Sequence, residues 1–578
     1  MQKTLTVLFL IASAFIVKAQ TTNWARDIGA SYGVHPFITA DSDGNVYSTG
    51  SFNGTIDADP GAAVYNLTSN GQDNIFISKI NKYGSFVWAI NLGGPGAVYG
   101  SAITLDANGN ILLAGSFSQT VDFDPGVGIQ NLTAGTFALN AFILKLDSTG
   151  NYLWAKAFVN TPTSITGASG SIRSIHIDSD QNILTTGSFN GTVDFDPSAT
   201  ENTLTTNPYL QRSIFISKLD SAGNYIWAKQ FGINDLNTGT SITTDNSGNI
   251  LACGNFSSQV DFDPGINVFN LNTFTNATYI LKLNANGDFN WVKTFEVAEP
   301  NNRVRINSIT LDANQNIIIK GSFIGAVDLN PGNDSLNIIS DGISETVFIS
   351  KFDLNGEFIW AKTWNFNLPF NFQGYWSNLL LLNSQNSIYS ANTFTGTIDV
   401  DPGNAANSLT SQGASDLILY KLDTDGNLDT TIIFNGKFDF CSSIVKDGLG
   451  NIIIGGRYSD TTYVATDSGI DTLNANETEF HSFILQLGVE SITAIEKIND
   501  TNNITIYPNP TSSIVNIDFK SESNKAEISL YNLLGEKLHH QSINTKNYQL
   551  DLSQYSSGTY FISIKTENEN IVRKVVKQ

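Results

Sequence analysis

Two cysteines among 578 residues, Cys253 and Cys441, are too few for a disulfide framework and are read as two separate, buried small residues. Charge is scarce, at 15% of residues, and it is lopsided: 31 Lys and Arg against 53 Asp and Glu leave a net charge of −22. The last 75 residues are close to neutral, so the acidity lies upstream, where it repels phosphate backbones and excludes nucleic acid as a partner. No H-E-x-x-H, Cys-x-x-Cys or phosphate-cradling glycine loop occurs, which removes hydrolytic zinc and nucleotide chemistry. Sustained helical periodicity is missing, and no segment beyond the first nineteen residues is apolar for long enough to span a membrane.

Those first nineteen residues carry Lys3, an apolar run from Leu5 to Val17, and a small residue at Ala19 before Gln20. This pattern predicts a cleaved secretory signal over residues 1–19, with the mature chain starting at Gln20. No cysteine follows the cleavage point, so a lipid anchor is not expected there.

What the chain has in abundance is repetition, with 48 glycines punctuating it. A turn element ending in asparagine recurs at Asn45, Asn110, Asn182, Asn249, Asn316, about Asn386 and Asn451, which makes seven units. The unit at 171–230 contains "SIHID", "NILTTGSF", "SIFISKLD" and "NYIWAK", four short runs rich in β-branched and aromatic residues and separated by turn signals. Four-stranded units repeated in this way predict a seven-bladed β-propeller over residues 20–488, because each sheet buries both faces against its neighbours.

The tryptophans favour a closed ring over an open solenoid. Trp88, Trp154, Trp227, Trp291 and Trp360 each sit in a fourth strand, whereas the sixth unit has Thr430 and the seventh stops at its third strand. "TTNWARDIG" at the mature N-terminus places Trp24 in the frame of a fourth strand with no unit before it. Residues 22–29 are therefore expected to complete the last blade. These units resemble the SBBP-type β-propeller repeat of bacterial exported proteins over about residues 22–488, a resemblance that implies fold and is nearly silent on activity.

The most regular motif is "GSFNGTVDFDP" at 187–197, in which two acidic residues stand one apart before proline. It recurs as Asp57 with Asp59, Asp122 with Asp124, Asp194 with Asp196, Asp261 with Asp263, and Asp399 with Asp401, while Asn330 replaces the second member beside Asp328. Strand geometry would set both carboxylates of a pair on one face, where they and nearby carbonyls could supply part of a calcium cage. The competing reading is that they cap backbone N–H groups at a bend, as Asp does beside proline. No other cofactor is implied.

Catalytic signals are weak. The literal G-x-S-x-G at Gly29–Gly33 joins two strands, not a strand and a helix, so it does not meet the geometry of a nucleophile elbow. "KLDSTGNYLWAK" at 145–156 resembles the tryptophan motif of quinone-dependent dehydrogenase propellers and, loosely, the sialidase aspartate box, but its intervals differ from both by one residue. No catalytic residue is assigned.

After a polar linker at 489–503 the pattern changes, and about six or seven strands in residues 504–578 predict a small Ig-like β-sandwich. Tyr507-Pro508-Asn509-Pro510, Gly535, Leu552, Gly558-Thr559-Tyr560 and Lys574-Val575-Val576-Lys577 resemble the type A C-terminal sorting domain of the type IX secretion system. That resemblance implies recognition by the secretion machinery, passage across the outer membrane, and attachment of the processed chain to surface lipopolysaccharide. The expected function is a non-enzymatic surface or secreted propeller that binds a glycan or protein through a face elaborated by the long connections between second and third strands. The alternative is a secreted polysaccharide-active enzyme with its site at the channel mouth.

Overall fold

The computed structural model describes residues 22–30, 36–134, 138–160, 169–206, 212–232, 237–297, 299, 302–332, 334–369, 379–403, 407–411, 414–434, 438–459, 461–466, 469–474, 481–488, 504–507, 511–519, 525–531, 537–556, 558–566 and 570–577. The signal segment with Ala19 and Gln20, and the linker at 489–503, lie outside the described residues, as does most of the G-x-S-x-G segment. Among the described residues every regular element is a β-strand. The chain divides into two compact units, residues 1–490 and 491–578.

In the first unit Phe37–Ala40, Val46–Phe52, Asn74–Ile80 and Phe86–Leu92 pair in that order, each antiparallel to the next. The same order recurs in sheets that begin with Val98–Leu105, Ser169–Ile177, Thr238–Thr244, Arg303–Leu311 and Leu380–Leu382. The final sheet runs Phe438–Lys446, Ile452–Ser459, His481–Leu487 and then Thr22–Ala30, with Trp24 opposite Gln486 and Asp27 opposite Phe483. The first strand of each sheet lies against the first strand of the next, and Phe37–Ala40 also lies against Phe438–Lys446. Hydroxyls stitch some of these contacts: Thr240 Oγ1 donates to the Ile306 carbonyl at 2.8 Å, and Ser442 Oγ to the Pro36 carbonyl at 2.7 Å.

Local sequence explains the layering. Second and third strands, such as "IIIKGSFI" and "NAFILKL", are buried at every position, so they read as continuous apolar runs. Fourth strands, such as "YIWAKQF", are half-buried at most positions and keep one edge toward solvent. The tryptophan of a fourth strand packs on the glycine turn of the following sheet. A β-carbon on Gly150 would lie 3.4 Å from the Trp88 ring, and one on Gly84 would lie 2.8 Å from Trp24. Both glycines have positive φ, 89° and 73°, so the turn needs glycine for its backbone as well as for the space. Trp154, Trp227, Trp291 and Trp360 repeat the contact with Gly223, Gly287, Gly356 and Gly426. Thr430 now has a physical reason: the sheet that follows it ends in Thr22–Ala30 and has no third-to-fourth turn for an indole to cover.

The long connections depart from expectation. Each of several contains a hairpin of two three-residue strands, for example Thr192–Asp194 with Thr203–Thr205. The hairpin does not stand on one face of the array but runs back along the outer strands. Asp194 pairs with Val159 of the preceding sheet, and Phe195 packs on Phe158 at 4.9 Å. At its far end Tyr65 reaches Phe86, and Phe269 reaches Phe289, both beside the opposite turns. The elaboration therefore lies in the outer grooves between sheets, and the expected plain and elaborated faces are corrected accordingly.

In the second unit Ile504–Tyr507, Ile514–Phe519 and Asn547–Asp551 form one sheet, and Lys537–Ile543, Ala526–Tyr531, Gly558–Lys565 and Asn570–Lys577 the other. Val515, Ile517, Leu550, Ile528, Leu530 and Ile562 from the two sheets share one apolar core.

Candidate functional site

The acidic pairs come first. Each strand of the motif ends at its first aspartate, so strand geometry does not carry through to the second, and the expectation of two carboxylates on one strand face is corrected. Asp122 Oδ1 accepts the N–H of Asp124 at 3.1 Å and that of Gln130 at 2.8 Å, and Asp124 Oδ1 accepts Gly126 N–H at 2.8 Å. Asp57 and Asp59, Asp261 and Asp263, and Asp399 and Asp401 repeat this scheme. Asp194 and Asp196 follow it with Ser198 in place of the glycine, and Asn202 adds a side-chain bond to Asp196 at 2.9 Å. Burial alone would raise the Asp196 carboxyl, but the hydrogen bonds from Ser198 and Asn202 hold it below its ordinary value. What these carboxylates do here is close the hairpin bend on itself. Among the described residues no group of three or more His, Cys, Asp or Glu has the geometry to hold a metal ion.

A second set of aspartates fixes the turns between first and second strands. Asp106 Oδ1 accepts the N–H groups of Asn108 and Asn110, and Oδ2 takes the Asn110 amide and Lys145 Nζ at 2.8 Å. Lys145 Nζ also donates to the Ser221 carbonyl of the next sheet at 3.1 Å, so one ammonium ties two sheets together. Lys218 with Asp178, Lys282 with Asp245, and Lys351 with Asp312 repeat the pin. Burial would raise the Asp106 carboxyl, yet the bonds from Lys145 and Asn110 bring it below its ordinary value.

Four further buried groups stand out. Cys253 and Cys441 are free and buried, as expected, and burial pushes both thiols up to about 12. Burial lowers His176, bonded through Nε2 to Thr244, to about 4. Lys320, which sequence reading missed, lies wholly inside with Nζ donating to the Ala391 carbonyl at 2.8 Å. Burial lowers its ammonium to about 7, against a smaller opposing influence from Cys441.

A cleft lined by motif aspartates lies where the first described strand meets the last sheet. Its volume is about 370 Å³, and Asp27, Asp57, Asp59 and His481 line it. Asp27 Oδ2 accepts from Tyr458 Oη at 2.9 Å and from His481 Nδ1 at 2.8 Å. Asp27 and His481 are 454 positions apart, and only the pairing of Thr22–Ala30 with His481–Leu487 brings them together. Neither residue carried a sequence signal.

In the second unit the Tyr507 hydroxyl donates to Asp518 at 2.6 Å, the buried Tyr560 donates to the Ser556 carbonyl at 2.6 Å, and Gly558 opens the strand Gly558–Lys565. Lys574 lies in the strand Asn570–Lys577, while Pro508, Asn509, Pro510 and Gly535 lie outside the described residues.

Residues 505–578 match the family of secretion system C-terminal sorting domains. The chain is therefore exported by type IX secretion, to the cell surface or to the medium. Among the described residues no helix is long and apolar enough to cross a membrane. Over 329 residues, 48% of its length, the chain is 26% identical to an uncharacterized WD repeat-containing protein of Acanthamoeba polyphaga mimivirus, of which it covers 23%. Over 113 residues, 19% of its length, it is 24% identical to an endo-acting ulvan lyase of Formosa agariphila, of which it covers 22%. It thus spans less than a quarter of the length of these curated relatives. Among solved structures it is similar to PorZ, a surface component of the type IX secretion system of Porphyromonas gingivalis, at 10% identity and a TM-score of 0.16 over 96% of this chain and 99% of that one. A mitotic checkpoint complex chain aligns with a TM-score of 0.36 at 7% identity, over 82% of this chain and 98% of that one.

Proposed function

We propose that residues 22–488 form a closed seven-bladed β-propeller of the SBBP type that serves as a non-enzymatic binding scaffold, carried to the cell surface or released by its sorting domain. Closure is supported by the pairing of Thr22–Ala30 with His481–Leu487 and by the contact of Phe37–Ala40 with Phe438–Lys446. The observation that carries the binding role is the apolar side chains held out in solvent by the hairpin connections. Val127 is fully exposed, Ile266 is 98% exposed, and Val64, Ile129, Val268 and Ile339 are two-thirds exposed or more. The aspartate bends beside them fix the backbone, so these side chains are displayed on rigid loops at a cost in solvation that a bound partner would recover. The ligand classes that fit an exported scaffold are a surface glycan or a protein, and attachment to lipopolysaccharide after processing would hold the scaffold on the cell.

Three experiments test this. An array of glycans and surface proteins probed with the mature chain should give ligands whose binding falls when Val127, Ile129 and Ile266 are changed to serine. Turnover of a polysaccharide in a parallel degradation screen would replace the scaffold reading with that of a polysaccharide-active enzyme. For the sorting domain, deletion of 504–578 should strand the propeller in the periplasm, and normal surface delivery of the truncation would contradict the assignment.

A further inference from the structure

Asparagine followed by glycine is a dipeptide prone to react with itself, because no side chain on the glycine hinders its nitrogen from reaching the asparagine carboxamide. Seven such pairs occur in the chain, and six lie among the described residues. In five of the six the glycine N–H is tied. Gly109, Gly287 and Gly356 donate to the carbonyls of Asp106, Asn284 and Asp353 across their turns, at 2.9, 3.0 and 3.0 Å. Gly54 donates to Ser69 Oγ at 2.9 Å, and Gly191 to Thr206 Oγ1 at 2.8 Å. All five glycines are held at positive φ, between 76° and 84°. Ring closure needs the nitrogen to lose its proton and the peptide plane to turn toward the side chain, and a bonded N–H in a fixed turn resists both.

Asn70–Gly71 is the exception. Neither residue makes a hydrogen bond among the described residues, and both are exposed. The chain is anchored on either side of them: Ser69 N–H donates to the Gly54 carbonyl at 2.8 Å, and the Asp73 carbonyl accepts Val98 N–H at 2.8 Å. Between these anchors residues 70–72 run over the surface, in the same connection as Val64 and Tyr65. The fifth sheet holds the tied counterpart. Its Ser340 N–H donates to the Gly325 carbonyl as Ser69 does to Gly54, and Asp341–Gly342 follows. There Asp341 Oδ1 accepts the N–H groups of Ile343 and Ser344 at 2.8 and 2.7 Å, and Gly342 N–H donates to Ser340 Oγ at 3.2 Å.

We propose that Asn70 is a site of spontaneous modification, converting to isoaspartate and aspartate through a succinimide shared with Gly71. The Gly71 nitrogen, having given its proton to hydroxide, bonds to the Asn70 carboxamide carbon. The carbon–nitrogen bond of that carboxamide then breaks, and ammonia leaves with a proton taken from water. A water molecule opens the ring at either carbonyl, giving isoaspartate linked through its side chain or an ordinary aspartate. Each product puts one new carboxylate on the exposed connection, and isoaspartate also adds one carbon to the backbone. That carbon has to be taken up beside Gly94 and Pro95, since a β-carbon on Gly71 would already lie 2.6 Å from the Gly94 carbonyl oxygen.

The test is to hold the intact protein in mildly alkaline buffer and follow it by peptide mass spectrometry, with the isoaspartyl and aspartyl forms separated by retention. The peptide holding Asn70 should gain the mass of the amide-to-acid exchange at least about tenfold faster than those holding Asn53, Asn108, Asn190, Asn286 and Asn355. Tenfold is about 1.4 kcal/mol of barrier, the size of one ordinary hydrogen bond. In denaturant, where every glycine N–H is free, the six rates should converge. Asn70→Gln should abolish the fast product and leave the thermal midpoint where it was, because the side chain makes no bond in the fold. An Asn70 peptide that keeps its mass while another pair reacts, or six equal rates in the folded protein, would overturn the proposal. So would an undiminished lead of Asn70 in denaturant, which would trace the reactivity to local sequence and not to the fold.

Discussion

The indole Nε1 of Trp24 donates to the carbonyl of Lys82 at 2.9 Å, while its ring lies against Gly84. This contact joins the first described strand to the turn of the first complete sheet, as Trp88 joins the next pair. If it seals the ring, Trp24→Ala removes a buried aromatic and a hydrogen bond together. The expected cost is about 3–5 kcal/mol, read as a fall in the denaturant midpoint, with the loss felt by the whole propeller in one transition.

Thr430 supplies the converse. Restoring the repeat's consensus with Thr430→Trp should give no stabilisation, within about 0.5 kcal/mol of wild type, because the next sheet has no glycine turn to receive the indole. A clear rise in the thermal midpoint would show that something else occupies that place.

The aspartate bends predict metal independence. Asp122→Ala leaves the N–H groups of Asp124 and Gln130 without their acceptor and should cost roughly 1–3 kcal/mol, measured by denaturant titration. Chelator added to wild type should leave the melt where it was. A chelator-induced fall that calcium restores would bring back the cage reading for these carboxylates.

Lys320 gives a pH signature. Its ammonium titrates near 7 in the fold, below the ordinary 10.5 of the unfolded chain, so between these values the unfolded state holds more protons and stability rises with pH. Below about 7 the full penalty is present. Lys320→Met should therefore stabilise the protein by roughly 2–4 kcal/mol at pH 6, with the advantage over wild type shrinking steadily as the pH approaches 10. An advantage that does not change with pH would mean that the amine is solvated in the fold.

Much of this architecture could be read from residues. The fully buried second and third strands are continuous apolar runs, and the frame of Trp24 betrayed a fourth strand without a sheet of its own. The hairpins in the long connections stayed hidden because strands such as Thr55–Asp57 and Asn66–Thr68 are three residues long and carry turn formers. Their course along the outer grooves was hidden too, since only pairings such as Val159 with Asp194 fix it. The seam cluster had no local signal because its parts come from opposite ends of the array. Lys320 sits inside "NIIIKGSF", where alternation would place a lysine in solvent, and only burial of both sheet faces puts it inside.

The central claim is that the chain closes on itself, and a cross-link across the seam tests it most directly. Ala25 and Leu485 are direct partners in the antiparallel pair and share one apolar cluster, so their Cα atoms fall within reach of a disulfide. In an Ala25→Cys, Leu485→Cys double variant, oxidation should give a monomer linked between positions 25 and 485, with faster migration on a non-reducing gel and a higher thermal midpoint. Thiols at 25 and 485 that stay reduced, or that link only between molecules, would contradict the closed ring.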